Sequence, residues 1–588
     1  MPQERNITVL YGSQTGCAQE VAERIAREAR RRHFHVVLSA MDDYERASLT
    51  QAGLAIFVCS VTGQGDEPDN MKRFWKFLLR KNLPADSLAG LKFAVFGLGD
   101  SSYQRFNFPA KKLYKRLIQL GAEAIHRRGD GDDQHKLGVD TELDPWLSEL
   151  WAIVMALYPL PPNMEIISET VLPPPSFEIE FLSFEDADRI EPSASYALLP
   201  RATLIANERL TAADHFQDIR HLSFRIDGPA QLDSAVYNPG DVMGLYPKND
   251  PDLVEEALAF FGWKDIADKP LQLKPVREDA KRPKHWGTIM TLRILLESHL
   301  DLFGHPRRYF FELLSFFSTD LDHAEKLREF ASSEGQPDLY SYCHRMKRTT
   351  FEVLQDFHSA KVPLKYLLDL IPELRPRLFS IASSPNVDRS RIDLTVGIIN
   401  YTTKLKKPRT GVCTSWLSSL PCGTSVPFYI SRGTMKLPDD GVPAIFIGPG
   451  TGVAPMRSFI QERINRGHHD NVLFVGCRNQ FKDYVYASEW QAACNRGQLK
   501  VFTAFSRDQD EKIYVQHRIQ EQAKLMWELI GVKGGFVFLS GNAKRMPYDV
   551  EDALKEIFKI EGNMTDDEAL AYLRGLEKQR RFQQECWS

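Results

Sequence analysis

The tetrapeptide Arg377-Leu378-Phe379-Ser380 sets a planar cationic fork, an aromatic face and a hydroxyl on one short stretch, followed by Ile381, Ala382, Ser383 and Ser384. An arginine fork matches phosphate oxygens, and a phenyl face can lie against a flat ring. A glycine-rich loop lies on either side of it. Gly12-Ser13-Gln14-Thr15-Gly16 stands between an apolar run at 7–11 and a helical pattern at Ala18, Val21, Ala22, Ile25 and Ala29. Such a loop turns backbone N–H groups and hydroxyls toward a phosphate at the positive end of the helix dipole. Its spacing is neither G-x-G-x-x-G nor Walker, and three hydrogen-bonding side chains stand in place of a lysine. It therefore suits a single phosphomonoester dianion. Gly448-Pro449-Gly450-Thr451-Gly452 follows a second apolar run and leads into a helix near Met456. Ser506, Arg507, Lys512, Tyr514 and Gln516 then gather a cationic fork, an ammonium and hydrogen-bonding groups within one short stretch.

The elements that must position these residues belong to several domains. At 588 residues the chain exceeds one hydrophobic core, so three to four domains are expected. A formal net charge of -4 gives no reason to expect nucleic acid, which needs clustered excess lysine and arginine. The eight cysteines form no C-x-x-C pair and no iron–sulfur spacing, so neither a metal site nor a disulfide framework is expected. No leader opens the sequence and no apolar stretch reaches the roughly 20 residues of a membrane helix. These features predict a soluble, cytoplasmic protein without a membrane anchor.

Buried strands are expected at 54–59 and 93–96, each running into a polar loop, and a closing helix at 144–157. Pro159, Pro161, Pro162, Pro173, Pro174 and Pro175 mark an extended linker, readable as a hinge or as a plain spacer. Strand patterns at 202–205, 221–226 and 239–247 predict a β-barrel, interrupted from 252 to about 345 by helical periodicity such as Leu292, Leu295 and Leu296. From Gly441 the pattern returns to α/β.

The first loop resembles the phosphate loop of flavodoxins. Arg377 to Ser380 resembles the FAD-binding motif of the ferredoxin-NADP reductase fold, and the loop at 448–452 its NADP pyrophosphate loop. Together they resemble diflavin reductases over almost the whole chain. With Gly97-Leu98-Gly99-Asp100-Ser101-Ser102-Tyr103 and no anchor, the chain resembles the NADPH-dependent diflavin oxidoreductase 1 family. The implied fold class is multidomain α/β and β. It has a flavodoxin-like FMN domain at 1–158, a linker at 159–198, and a FAD-binding barrel at 199–440 with a helical insertion at about 251–345. An α/β NADPH-binding domain follows at 441–588.

The resemblance implies FMN contacts from Ser13, Gln14, Thr15, Gly16, Cys17 and Ala18, from Ser60, Val61, Thr62 and Gly63, and from Leu98, Gly99, Asp100, Ser101, Ser102, Tyr103, Asn107 and Asp133. Tyr103 matches one ring-stacking aromatic, while Thr62 stands where the family has the other, and Asp132 and Asp133 match its acidic position. For FAD it implies Arg348, Arg377, Leu378, Phe379, Ser380, the helix start Gly411-Val412-Cys413-Thr414, and Trp587 over the flavin ring. Cys413 reads as a packing residue. For NADP it implies Thr451, Ser506, Arg507, Lys512, Tyr514, Gln516 and Asp549, a set suited to a 2'-phosphate and so to NADPH rather than NADH. Ser380, Glu585, Trp587 and Ser540 are the implied catalytic group, with Ser540 standing where the family has a cysteine.

Implied chemistry runs from NADPH through FAD and FMN to a one-electron acceptor, for this family the iron–sulfur protein anamorsin. Residues 1–158 hold 21 Lys plus Arg and 20 Asp plus Glu, so steering of a basic haem protein is not built into the FMN domain as a whole, although acidic residues cluster over 130–144. A diflavin reductase serving a haem or sulfite-reducing partner is the second reading. A flavin-fold scaffold without turnover is the third, disfavoured by the presence of Gly16, Arg377 and Gly450.

Overall fold

The computed structural model describes residues 5–63, 65–103, 105–189, 199–228, 235–438 and 441–587. The last part of the expected linker, 190–198, and Ser588 lie outside the described residues.

The N-terminal body is a parallel sheet of β1 (Asn6–Gly12), β2 (His35–Ala40), β3 (Leu54–Ser60), β4 (Lys92–Gly99), β5 (Glu123–Ala124) and β6 (Gly129–Asp132). Their order is β2-β1-β3-β4-β5, with β6 also pairing β4. Strand alternation explains the two layers. Ile7 and Val9 pack with Ile25 and Trp146 on one face, while Leu10 packs with Phe74 and Leu113 on the other. The strand order reverses beside β1, so the loops after β1, β3 and β4 open on one crevice at the carboxyl ends. The closing helix spans Asp140–Leu157, four residues earlier than its apolar pattern suggested, because Asp140 and Glu142 favour a first helical turn.

The proline-rich segment is not a free spacer. Ile167 donates its N–H to the Arg31 carbonyl, the Tyr366 hydroxyl donates to the Pro173 carbonyl, and Phe177–Phe181 forms β7. A barrel follows with β8 (Arg201–Arg209), β9 (Ile219–Ile226) and β10 (Val242–Leu245). The helical insertion then begins at Pro251 and carries β11 (Leu271–Pro275), which pairs with β7, and β12 (Ile289–Met290). It does not end near 345 but continues to Leu370. A capping box of Thr349 and Glu352 starts another helix there, and that helix puts Phe351, Val353 and Leu354 into the core of Leu295, Phe311 and Leu327.

The barrel resumes with β13 (Arg377–Ser380) and β14 (Arg391–Gly397). The hairpin β15 (Asn400–Thr402) and β16 (Pro408–Thr410) and the strand β17 (Ser425–Ser431) follow. Its order is β13-β10-β17-β8-β9-β14, and an Ile381–Leu394 bridge closes the ring. The C-terminal body is a parallel sheet of β18 (Ala444–Ile447), β19 (Asn471–Cys477), β20 (Lys500–Phe505), β21 (Phe536–Asn542) and β22 (Phe582–Trp587), in the order β20-β19-β18-β21-β22. Trp587 therefore does not fray: it pairs with Asn542, and its carbonyl accepts from Ala543 N at 2.9 Å.

Candidate functional site

A cavity of about 1700 Å³ opens between the N-terminal body and the rest of the chain, lined by Thr15, Gly16 and Asp133 on one side and Arg377 and Leu378 on the other. It brings the first glycine loop and the Arg377 motif to one space. Gly16 takes φ 101°, a conformation that strains a side chain, and its N–H donates to the Ser13 hydroxyl at 3.0 Å. The loop is braced from behind: Ser13 N donates to Asn70 Oδ1 at 2.8 Å, and Gln14 Nε2 donates to Asp69 Oδ2 at 3.1 Å. Cys17 and Ala18 begin the helix Cys17–Arg31, so their N–H groups lie among the orphan donors of its first turn.

After β3, Ser60 donates to the Gly12 carbonyl, Val61 N donates to the Leu98 carbonyl, and Thr62 closes a tight turn past Gly63 by pairing with Asp66. After β4, Asp100 accepts from Ser102 N and Oγ, and Asp132 accepts from Ser101 N at 2.9 Å. Burial pushes the Asp132 carboxyl up, but donors from Ser101 and Gln134 outweigh it and hold it below its ordinary value. Burial and the neighbouring Asp100 and Asp132 raise Asp133. Two residues depart from expectation. Asn107 is fully buried in a left-handed conformation, its amide donating to the Gly131 carbonyl at 3.2 Å, so it braces Gly97 and Gly99 rather than lining the crevice. Tyr103 packs against the apolar cluster of the C-terminal body.

In the barrel, Ser380 Oγ donates to Glu585 Oε1 at 3.4 Å, and Thr434 Oγ1 donates to Oε2 at 3.0 Å. Burial raises the Glu585 carboxyl against those donors. The Leu378 side chain is exposed into the cavity, while Phe379 packs partly against the barrel core. Gly411 admits no side chain, since a Cβ would lie 2.7 Å from Thr414 Oγ1, and it caps the helix Val412–Ser419. Burial pushes the Cys413 thiol up to about 12, which leaves it an apolar packing group. Arg348 lies in the helical insertion rather than the barrel, where it pairs with Asp356, donates to the Tyr342 carbonyl at 3.1 Å and covers the Tyr342 ring. The capping box that begins at the next residue, Thr349, starts the helix carrying Asp356.

In the C-terminal body, a Cβ on Gly452 would lie 2.1 Å from the Ser540 carbonyl oxygen, so only glycine lets the loop with Thr451 approach β21 this closely. Ser540 is fully buried beside Glu585 in the β21–β22 register, and its hydroxyl finds no partner among the described residues. Ser506 N donates to the Cys477 carbonyl, and Arg507 N to that of Arg478. Arg507, Lys512 and Tyr514 face solvent, and Gln516 reaches Asp549 at 3.3 Å. This forms an open cationic rim at the carboxyl ends of β19 and β20.

Sequence reasoning missed Thr434, Arg375 and Arg307. Thr434 carries no local signal. Arg375 stands two residues before Arg377, the spacing that repeats a strand face, and both arginines line the large cavity. It missed the ionic seam as well. Arg308 and Arg24 both pair with Asp144 at 2.7 Å, Arg31 pairs with Glu312 at 2.9 Å, and Arg27 covers the Tyr309 ring at 3.4 Å.

Three family models match the chain: Flavodoxin at residues 9–146, FAD binding domain at 198–416 and Oxidoreductase NAD-binding domain at 446–552. Proteins described as NADPH-dependent diflavin oxidoreductase 1 are similar throughout. The one from Xenopus laevis is 46% identical over 609 residues, covering 100% of both chains. That from Schizosaccharomyces pombe is 39% identical over 591 residues, covering 99% of each, and that from Arabidopsis thaliana is 37% identical over 631 residues, covering 100% of this chain and 99% of its own.

Proposed function

The chain belongs to the NADPH-dependent diflavin oxidoreductase 1 family, and we propose that its electron acceptor is the iron–sulfur protein anamorsin, in the cytoplasm. It is an oxidoreductase that uses NADPH, FAD and FMN. When bound, the two flavins supply the passage from two-electron to one-electron chemistry. The observation that supports this acceptor over a basic haem protein is the charge balance of residues 1–158, which is nearly neutral as a whole, its acidic residues gathered over 130–144, where steering of a basic partner calls for a net acidic field. Among the described residues no helix is long and apolar enough to cross a membrane.

The residues present fit the three cofactors: the loops at 13–18 and 411–414 each run into a helix start whose first N–H groups have no intrahelical partner, and Arg507 and Lys512 stand exposed beyond β20. The loop at 13–18 takes the FMN phosphate, with 60–63, 98–103 and Asp133 around its ring. Arg377 and the helix start at 411–414 take the FAD pyrophosphate, while Ser506, Arg507 and Lys512 take the 2'-phosphate of NADPH. Ser380 and Glu585, joined at 3.4 Å, would orient the hydride-accepting edge of the FAD ring and hold a proton at the Ser380 hydroxyl or the Glu585 carboxyl. Ser540 is buried beside Glu585 in the β21–β22 register, and the exposed Trp587 indole would be the group that covers the FAD ring and has to give way to nicotinamide. Trp587→Ala should therefore lower the ratio of kcat/KM for NADPH over NADH by about two- to tenfold, the loss of an aromatic stack of about 0.5–1.5 kcal/mol. Steady-state kinetics with both nucleotides measures this, and an unchanged ratio removes the indole from that role.

The ionic seam ties the N-terminal body to the helical insertion, and on this reading it would keep the two flavins in reach of one another. Arg308 is its centre, donating to both Asp144 oxygens at 2.7 and 2.8 Å. Arg308→Ala should slow transfer between flavins at least several-fold, since it takes a largely buried guanidinium away from both Asp144 oxygens, and leave reduction of FAD by NADPH unchanged in stopped-flow traces. The acceptor is tested by mixing the NADPH-reduced enzyme anaerobically with oxidised anamorsin. Rapid cluster reduction supports the proposal; flavin reduction with no transfer discards anamorsin and keeps the diflavin enzyme.

A further inference from the structure

The loop at 12–17, read above as the FMN phosphate loop, carries no lysine or arginine of its own. Cations reach it from a part of the chain roughly 300 residues away. A Cβ built on Gly16 would have as its three nearest neighbours Arg375 Nε at 2.8 Å, Arg307 Nη2 at 3.1 Å and Arg375 Cζ at 3.2 Å. Arg307 Nη1 is fixed by the Gly16 carbonyl at 3.0 Å and by Glu20 at 2.8 Å, and Arg375 Nη2 by Gln19 Oε1 at 2.5 Å. Both guanidinium groups line the large cavity beside Thr15, Gly16 and Cys17. Neither residue belongs to the N-terminal body: Arg307 precedes the insertion helix Arg308–Ser315, and Arg375 precedes β13.

We propose that Arg307 and Arg375 hold the FMN phosphate from across the domain boundary, so that FMN loading and docking of the FMN body strengthen each other. A planar guanidinium is suited to phosphate oxygens, and both groups stand beside Gly16 at the start of the helix Cys17–Arg31, whose first N–H groups have no intrahelical partner. The consequence follows from linkage. If docking tightens FMN binding by a given factor, FMN must favour docking by the same factor. A chain lacking FMN then docks less, and an undocked chain releases FMN more readily. This inference stands whatever protein accepts the electrons.

The test uses the full-length, FAD-loaded chain depleted of FMN, titrated with FMN while its fluorescence quenching is followed. The double variant Arg307→Gln, Arg375→Gln should raise the Kd at least tenfold, or about 1.4 kcal/mol. Arg375→Lys, which keeps the charge, should lose less than Arg375→Gln. In small-angle scattering, FMN should compact the wild-type chain and leave the double variant unchanged. Should the double variant not fold, Arg375→Gln alone must raise the Kd at least threefold. A Kd within twofold of wild type, an equal loss for the glutamine and lysine variants, or full compaction of the double variant by FMN would overturn the proposal.

Discussion

Ser380→Ala should slow the reduction of FAD by NADPH by about 10²-fold while FAD stays bound, the lower end of what a positioned proton-handling group contributes. The backbone gives no reason for a wider loss. Ser380 pairs with Val242 in the β10–β13 ladder, so the strand keeps its register without the hydroxyl. What disappears is the 3.4 Å link to Glu585, whose other oxygen is held by Thr434. Because burial raises the Glu585 carboxyl, the rate should titrate above the ordinary carboxylate range, and Glu585→Gln should remove that limb of the profile. Linkage gives the accompanying sign. An acid whose pKa rises on folding disfavours the fold above that pKa and ceases to do so as pH falls through it. Glu585→Gln should accordingly leave Tm at pH 8 unchanged or slightly higher. Single-turnover absorbance against pH measures the first effect, and a Ser380→Ala rate within threefold of wild type would exclude the hydroxyl from hydride transfer.

Asp393→Ala should cost about 3–5 kcal/mol in the transition that unfolds the barrel and C-terminal body, the penalty for stranding a buried charge. Asp393 is only 2% exposed and accepts from Arg457 Nη1 at 2.9 Å, Arg391 Nε at 2.6 Å and Ser223 Oγ at 2.8 Å. Arg457, 7% exposed, also donates to Glu489 and to the Ala382 carbonyl, and its guanidinium covers the Tyr486 ring at 4.7 Å. This network ties β14 to the helix Val453–Asn465, which begins at the Gly452 loop, so the variant should also weaken NADPH binding. Burial pushes the Asp393 carboxyl up, and Arg391 with Arg457 outweighs it and holds it below 3.8. Its stabilisation is therefore present above pH 3.8 and is lost as pH falls through the depressed value. A urea midpoint for Asp393→Ala within 1 kcal/mol of wild type would show that Arg457 finds other partners.

The three anion-binding loops were legible because each is a local event. A strand, a few residues of glycine and hydroxyl, and a helix start are all written within about ten positions, and backbone sterics fix what they build. Gly16 is needed for its positive φ and Gly411 for the Thr414 hydroxyl three residues on, while the need for glycine at 452 comes from the distant Ser540 carbonyl. The order of the bodies was legible for the same reason, since strand and helix periods change where each body begins. Asn107 misled because the left-handed conformation that buries it follows from the fit of its amide against β6, which its loop does not encode. The end of the helical insertion misled because the Thr349–Glu352 capping box starts a further helix past the point where the periodicity fades, and Arg348 sits just before it.

By itself the sequence determined the bodies, their order and the glycine loops and helix starts between strands, because those depend on contacts a few positions apart. Only the tertiary structure decided which of them meet. Ser380 and Glu585 lie 205 positions apart, and Arg375 reaches Gln19 across 356. Such meetings depend on how two folded surfaces match in shape and charge, and no short stretch of chain holds both halves of that match.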